Sequence, residues 1–202
     1  MASRRTTARD LAQIAIFAAL IAALGLPGRL DLGGSSGVPI TFQTLGVMLA
    51  GAVLGARKGF LAVLVFEVLT LIGLPLLAGG RGGPAVWASP TGGYLVGFLL
   101  GVVVIGLLTR PLLPRYPLWA GILATAVGGI VVIYAVGIPW TAWRTGLPLS
   151  TAASGAAVFL PGDVIKAVVT ALVARQVHRA YPGLITGRRA TDPARRRAGT
   201  AA

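Results

Sequence analysis

An aspartate and a lysine stand three residues apart in Phe159-Leu-Pro-Gly-Asp163-Val-Ile-Lys166, inside a stretch whose other residues suit lipid. Charges at membrane depth are expensive and commonly mark a site. A helix opening at Pro161 puts Asp163 and Lys166 on one face, a turn apart. An acceptor and a donor facing the same way can grip a small polar ligand. A salt bridge that only lets the helix insert explains the pair equally well.

More polar residues open other apolar stretches. Thr41, Gln43 and Thr44 begin one, and Thr91 and Tyr94 begin another. The bland readings are helix caps for Thr41 and Thr91 and an interfacial anchor for Tyr94. Gln43 resists such a reading, because an amide one turn into an apolar helix needs partners. If these stretches start at one face, their helix N-termini converge there and favour an anionic group. Glu67 lies mid-stretch in Val65-Phe66-Glu67-Val68, where a structural hydrogen bond to a neighbouring helix is the expected role.

These groups need a membrane scaffold to position them. Of 202 residues, 55% are hydrophobic and 11% charged, with mean hydropathy +0.84. Six apolar stretches, about 11–27, 38–55, 59–78, 92–109, 118–139 and 156–177, scatter around the roughly 20 residues a span needs. The expected fold class is an all-α membrane protein of six transmembrane helices. Residues 1–10 form an N-terminal segment, 11–180 the transmembrane domain and 181–202 a basic tail expected to be disordered. Ser3-Arg4-Arg5 before an apolar core resembles a twin-arginine signal, but five further stretches favour an uncleaved first helix.

The net charge of +13 does not signal nucleic-acid binding, because the cations gather at the edges of apolar stretches and in the tail. With six spans, one side carries 14 arginines and lysines and the other carries Arg29, Arg81 and Arg144, leaving Lys166 within the membrane. The positive-inside rule then makes both termini cytoplasmic and exposes the loops 28–38, 79–91 and 140–155 outside. The expected location is the plasma (inner) membrane, multi-pass. With no cysteine, thiolate chemistry and disulfides are excluded. The single histidine, His178, between Arg175 and Arg179, reads as a solvated headgroup contact, and no metal centre is expected. Gly79-Gly-Arg-Gly-Gly83 lacks the Gly-Lys-Ser/Thr ending of a nucleotide loop.

Small residues recur at Ala15, Ala19 and Ala23, with Ala8 and Ala12 nearby. That spacing permits close helix approach, either to a partner or within the bundle.

Four segments carry a family resemblance: Val38-Pro-Ile-Thr-Phe-Gln-Thr-Leu-Gly-Val47, Gly73-Leu-Pro75 with Ala78-Gly-Gly80, Ser89-Pro-Thr-Gly-Gly-Tyr94, and Phe159 to Lys166. Together they resemble the BioY family, the biotin-binding S components of energy-coupling factor vitamin transporters, over about residues 10–180. Ser89 departs from a common glycine. The resemblance implies capture of biotin from outside, with delivery through a transmembrane T component and two cytoplasmic ATPases that use the ATP. It implies no enzyme activity and no cofactor held by this chain. It places Asp163 and Lys166 against biotin and Ala15, Ala19 and Ala23 against the T component. Biotin's chemistry suits the polar openings: Asp163 accepts from the ureido N–H groups, Lys166 pairs with the carboxylate, and Gln43, Thr41, Tyr94 and Thr91 complete the polar contacts. Trp87 and Phe42 are candidates to cover the rings. Another vitamin, self-association as a homo-oligomer, or a serine hydrolase built on Ser154 are the competing readings; the last lacks a base near its serine.

Overall fold

The computed structural model describes residues 7–26 and 41–185, and its regular structure there is helical. The expectations for the 28–38 loop, Arg29, the Ser3-Arg4-Arg5 segment and the tail beyond 185 lie outside the described residues.

Helix α1 (Ala8–Ala23) starts at a reciprocal cap: the Asp10 N–H donates to Thr7 Oγ1 at 3.2 Å, and the Thr7 N–H donates to Asp10 Oδ2 at 3.1 Å. It buries one stripe, Ile14, Ala18 and Ile21. Helix α2 (Gln43–Leu49) widens into a π turn at Ala50–Leu54 and meets α3 (Gly55–Leu71). A short helix α4 (Pro84–Trp87) precedes α5 (Gly92–Thr109). Helix α6 (Leu118–Ala126) passes through a second π turn at Val127–Val132 into α7 (Ile133–Thr145). Helices α8 (Leu149–Ala157) and α9 (Leu160–Ala180) complete the described chain.

Among the described residues, three helical runs, Gln43–Leu71, Gly92–Leu112 and Leu118–Thr145, are long and apolar enough to cross a membrane, and the bent pair α8–α9 passes the same test if it is taken as one span. The first run is not one rod. Gly55 adopts φ 79° and ψ 177°, a region only glycine enters without strain. A methyl group on Gly59 would lie 2.9 Å from the Ala50 carbonyl oxygen, whereas nine residues of straight helix separate such groups by about 13.5 Å. The chain therefore turns back at Gly55, and the start of α3 packs against the π turn that precedes it. This reversal falls at the boundary that the hydropathy places between residues 55 and 59.

Helix α5 is the hub, packing against α3, α7, α2 and both π turns. Its small residues admit backbone close by; a methyl on Gly101 would sit 2.6 Å from Gly128 O. One end of the bundle gathers Asp10, Lys58, Ala52 and His178: Lys58 Nζ lies 3.3 Å from Asp10 Oδ1, and His178 Nε2 lies 2.8 Å from Ala52 O. The other end gathers the ends of α1 and α7 and the starts of α2, α5 and α9. There Gln43 Nε2 donates to Ile21 O at 3.4 Å and Trp140 Nε1 donates to Ser89 O at 3.0 Å.

Three expectations need correction. Residues 140–155 are not a loop: α7 runs to Thr145, and α8 restarts after Pro148, an alanine-rich helix that buries Ala152 and Ala156 and packs on α7. It joins α9 at a 55° bend. His178 is not a solvated contact but is 6% exposed, with the Tyr116 ring 5.5 Å from its own. The 113–117 turn folds back over the helix end and covers it. Glu67 is buried with neither carboxylate oxygen hydrogen-bonded, so the expected structural bond is not made.

Candidate binding site

The starts of α2, α5 and α9 meet around a cavity of about 60 Å³. Pro161 in the first turn of α9 sets the helix start, and one turn later Asp163 and Lys166 share an inward face, 3% and 8% exposed. They are joined directly: Lys166 Nζ donates to Asp163 Oδ1 at 2.8 Å. Lys166 also donates to Thr41 O at 2.7 Å and Thr44 Oγ1 at 2.9 Å. Thr44 Oγ1 donates in turn to Asp163 Oδ1 at 3.2 Å, and the Tyr134 hydroxyl donates to Asp163 Oδ2 at 2.8 Å.

An ammonium has three protons, and Lys166 has placed all three. A carboxylate offers about four acceptor positions, and Asp163 has filled three. The cluster thus has capacity for one further donor but none for a further acceptor unless Lys166 releases a partner. Its two charges cancel. A third charged side chain among the described residues, Arg81, lines the same cavity. The mirror-image backbone of Gly79 (φ 79°) and Gly80 (φ 68°) closes a tight turn in which Leu77 and Arg81 exchange backbone hydrogen bonds of 3.0 and 3.2 Å. That turn brings Arg81 Nη1 to 3.4 Å from Thr91 Oγ1.

Thr41, Gln43, Thr91, Tyr94, Asp163 and Lys166 all line this cavity, with Leu77, Leu95, Phe98, Ile133 and Phe159 as apolar wall. The bland readings fare unevenly. Thr41 stands one residue before the N-cap, Phe42; its hydroxyl accepts from the Gln43 N–H at 3.3 Å and its carbonyl accepts from Lys166. Thr91 makes no cap bond to α5. Tyr94 is no interfacial anchor: it is 7% exposed and meets the Tyr134 ring edge-on at 6.4 Å. Gln43 ties α1 to the turn before Arg81 through Ile21 O and Leu76 O.

Trp87 is not in the lining; it packs against the core with its Nε1 buried and unbonded. Phe42 is 49% exposed and also outside the cavity. Sequence reasoning missed Tyr134 and Arg81. Tyr134 is a hydroxyl within an apolar run, Val131-Val-Ile-Tyr134, which is a readable signal. Arg81 read only as a loop charge, because its direction depends on the glycine turn.

The chain is similar over most of its length to proteins of one kind. A biotin transporter of Rhizobium etli is 51% identical over 179 residues, covering 86% of this chain and 95% of that protein. One from Rhodobacter capsulatus is 49% identical over 191 residues, covering 89% and 98%. The crystal structure of the S-component for biotin from an ECF-type ABC transporter superposes with a TM-score of 0.83 at 32% identity, covering 91% of this chain and 97% of that one. The profile of the BioY family matches residues 1–183. With the cavity at the junction of α2, α5 and α9 formed from the segments that carry the resemblance, the chain belongs to the BioY family.

Proposed function

We propose that this chain is the membrane subunit that captures biotin from outside and delivers it through an energy-coupling factor transporter. The observation that carries the reading is the polar cluster of Asp163, Lys166, Thr44 and Tyr134 set against an apolar wall of Leu77, Leu95, Phe98, Ile133 and Phe159. Biotin is a monoanion with two ureido N–H donors, a ureido carbonyl and an apolar thioether ring. Asp163 has a free acceptor position for a ureido N–H, and Lys166 can exchange a protein acceptor for the ureido oxygen. Arg81 brings a second cation to the lining, and we assign it to the carboxylate, which leaves Lys166 to the ureido group. Gln43, Thr41, Thr91 and Tyr94 complete the polar lining. A cavity of about 60 Å³ is well below the roughly 300 Å³ of small-ligand sites, so binding requires the wall to move outward.

The chain acts as a six-span, multi-pass protein of the plasma membrane, with both termini cytoplasmic. The reversal at Gly55 supports this by resolving one long apolar run into two passes. Ala15, Ala19 and Ala23 are exposed on α1, opposite the Ile14–Ala18–Ile21 stripe, so internal packing does not occupy them. They are the surface we assign to the T component, with two ATPases supplying the energy. Purified protein should gain thermal stability with biotin but not with riboflavin or thiamine. Stabilisation by another vitamin instead would replace biotin as the ligand.

A further inference from the structure

A second, larger recess lies at the opposite end from the ligand cavity. It is an open groove of about 930 Å³ between the start of α1, the α2–α3 reversal, the end of α5 and residues 180–185. Among the described residues, four cations line it, Arg9, Arg57, Lys58 and Arg110, with one carboxylate, Asp10. Asp10 stays with Lys58: hydrogen bonds from the Thr7 backbone and hydroxyl, then Lys58, hold its carboxyl below the ordinary range. Lys58 is further engaged by Gln13 Oε1 at 2.6 Å. Arg9 and Arg57 project exposed into the groove. Its wall is apolar at Leu61 and Leu107, and Leu107, 57% exposed, continues onto the outer surface of α5.

We infer that this groove binds the headgroup of an anionic phospholipid, its phosphate between Arg9 and Arg57 and an acyl chain along Leu107. A cationic floor opening onto an apolar outer face matches an amphiphile with a negative head. Basic recesses between helices on the cytoplasmic side bind such headgroups. The chain's own tails are poor occupants, because Arg4, Arg5, Arg188, Arg189, Arg195, Arg196 and Arg197 carry charge of the same sign. The inference rests on the proposed topology, which puts this end at the inner headgroup level.

The test is native mass spectrometry of the full chain released from mixed phosphatidylcholine and phosphatidylglycerol micelles. Wild type should retain phosphatidylglycerol over phosphatidylcholine. R9Q/R57Q should lose that retention by roughly fivefold per arginine, and R9K/R57K should regain most of it. Arg144→Gln, whose guanidinium stacks 5.4 Å over Trp143 at the other end, should match wild type. Equal phosphatidylglycerol retention in wild type and R9Q/R57Q would overturn the site. So would complete displacement by millimolar inorganic phosphate, which would mark a free-anion site, or by an acidic peptide from the T component. Biotin-induced stabilisation read on the same samples separates the two proposals. Its absence in wild type with the lipid pattern intact would refute the biotin reading alone.

Discussion

The two ends of this bundle use the same residue chemistry to opposite effect. At one end, Asp163 and Lys166 sit in about 60 Å³, almost wholly buried, with nearly every hydrogen-bonding position taken. At the other, Arg9 and Arg57 face an open groove of about 930 Å³. The larger recess is the poorer candidate for tight recognition of a small molecule. Exposed charges are screened and interact at about 1 kcal/mol or less, whereas truncating one partner of a buried, hydrogen-bonded pair costs about 2–5 kcal/mol. Size of a recess therefore does not rank the two ends; desolvation does.

Asp163→Asn should give the largest effect, because it breaks the charge balance with Lys166 and weakens the acceptor for the ureido group. By isothermal titration, biotin and an uncharged biotin amide should both weaken by about 30-fold to several-thousand-fold. Unchanged affinity in folded protein would remove the cluster from the site.

Next in size is the contrast between Arg81→Gln and Lys166→Met. If Arg81 takes the carboxylate, Arg81→Gln should weaken biotin by tens- to hundreds-fold and the amide far less, while Lys166→Met should weaken both. The reverse pattern would return the carboxylate to Lys166.

Ala19→Trp enlarges the exposed face of α1 without touching the cavity. Co-purification with the T component should fall severalfold, while biotin affinity stays within about twofold. Normal co-purification yield would move the docking surface off α1. The smallest effect belongs to the basic groove. R9Q/R57Q should leave the dissociation constant for biotin within about twofold, as expected of screened charges at the far end. A tenfold loss would mean that the two ends are coupled and that the comparison between them fails.

Much of the site was legible before any fold. Asp163 and Lys166 stand out because a charge in an apolar stretch needs a reason, and the helical period puts them on one face whatever else the chain does. The Pro161 helix start and the boundary between residues 55 and 59 are local properties too, set by proline's fixed φ and by Gly55. Trp87 lies outside the cavity lining because an aromatic near a site in sequence need not turn toward it; here it packs against the core. Helix α8 was missed because small alanines and a serine-threonine pair read as loop until Ala152 and Ala156 find α7 to bury against.

The residues alone mark a helical membrane protein, its apolar stretches, and the charges that stand out of place among them. Those follow from composition and from the period of a single helix. Only the tertiary structure decided that Tyr134 meets Asp163, that the glycine turn swings Arg81 into the cavity, that His178 is buried, and that Glu67 finds no partner. Each of these depends on which helices become neighbours. That choice is made by packing between segments tens of residues apart, and no local pattern encodes it.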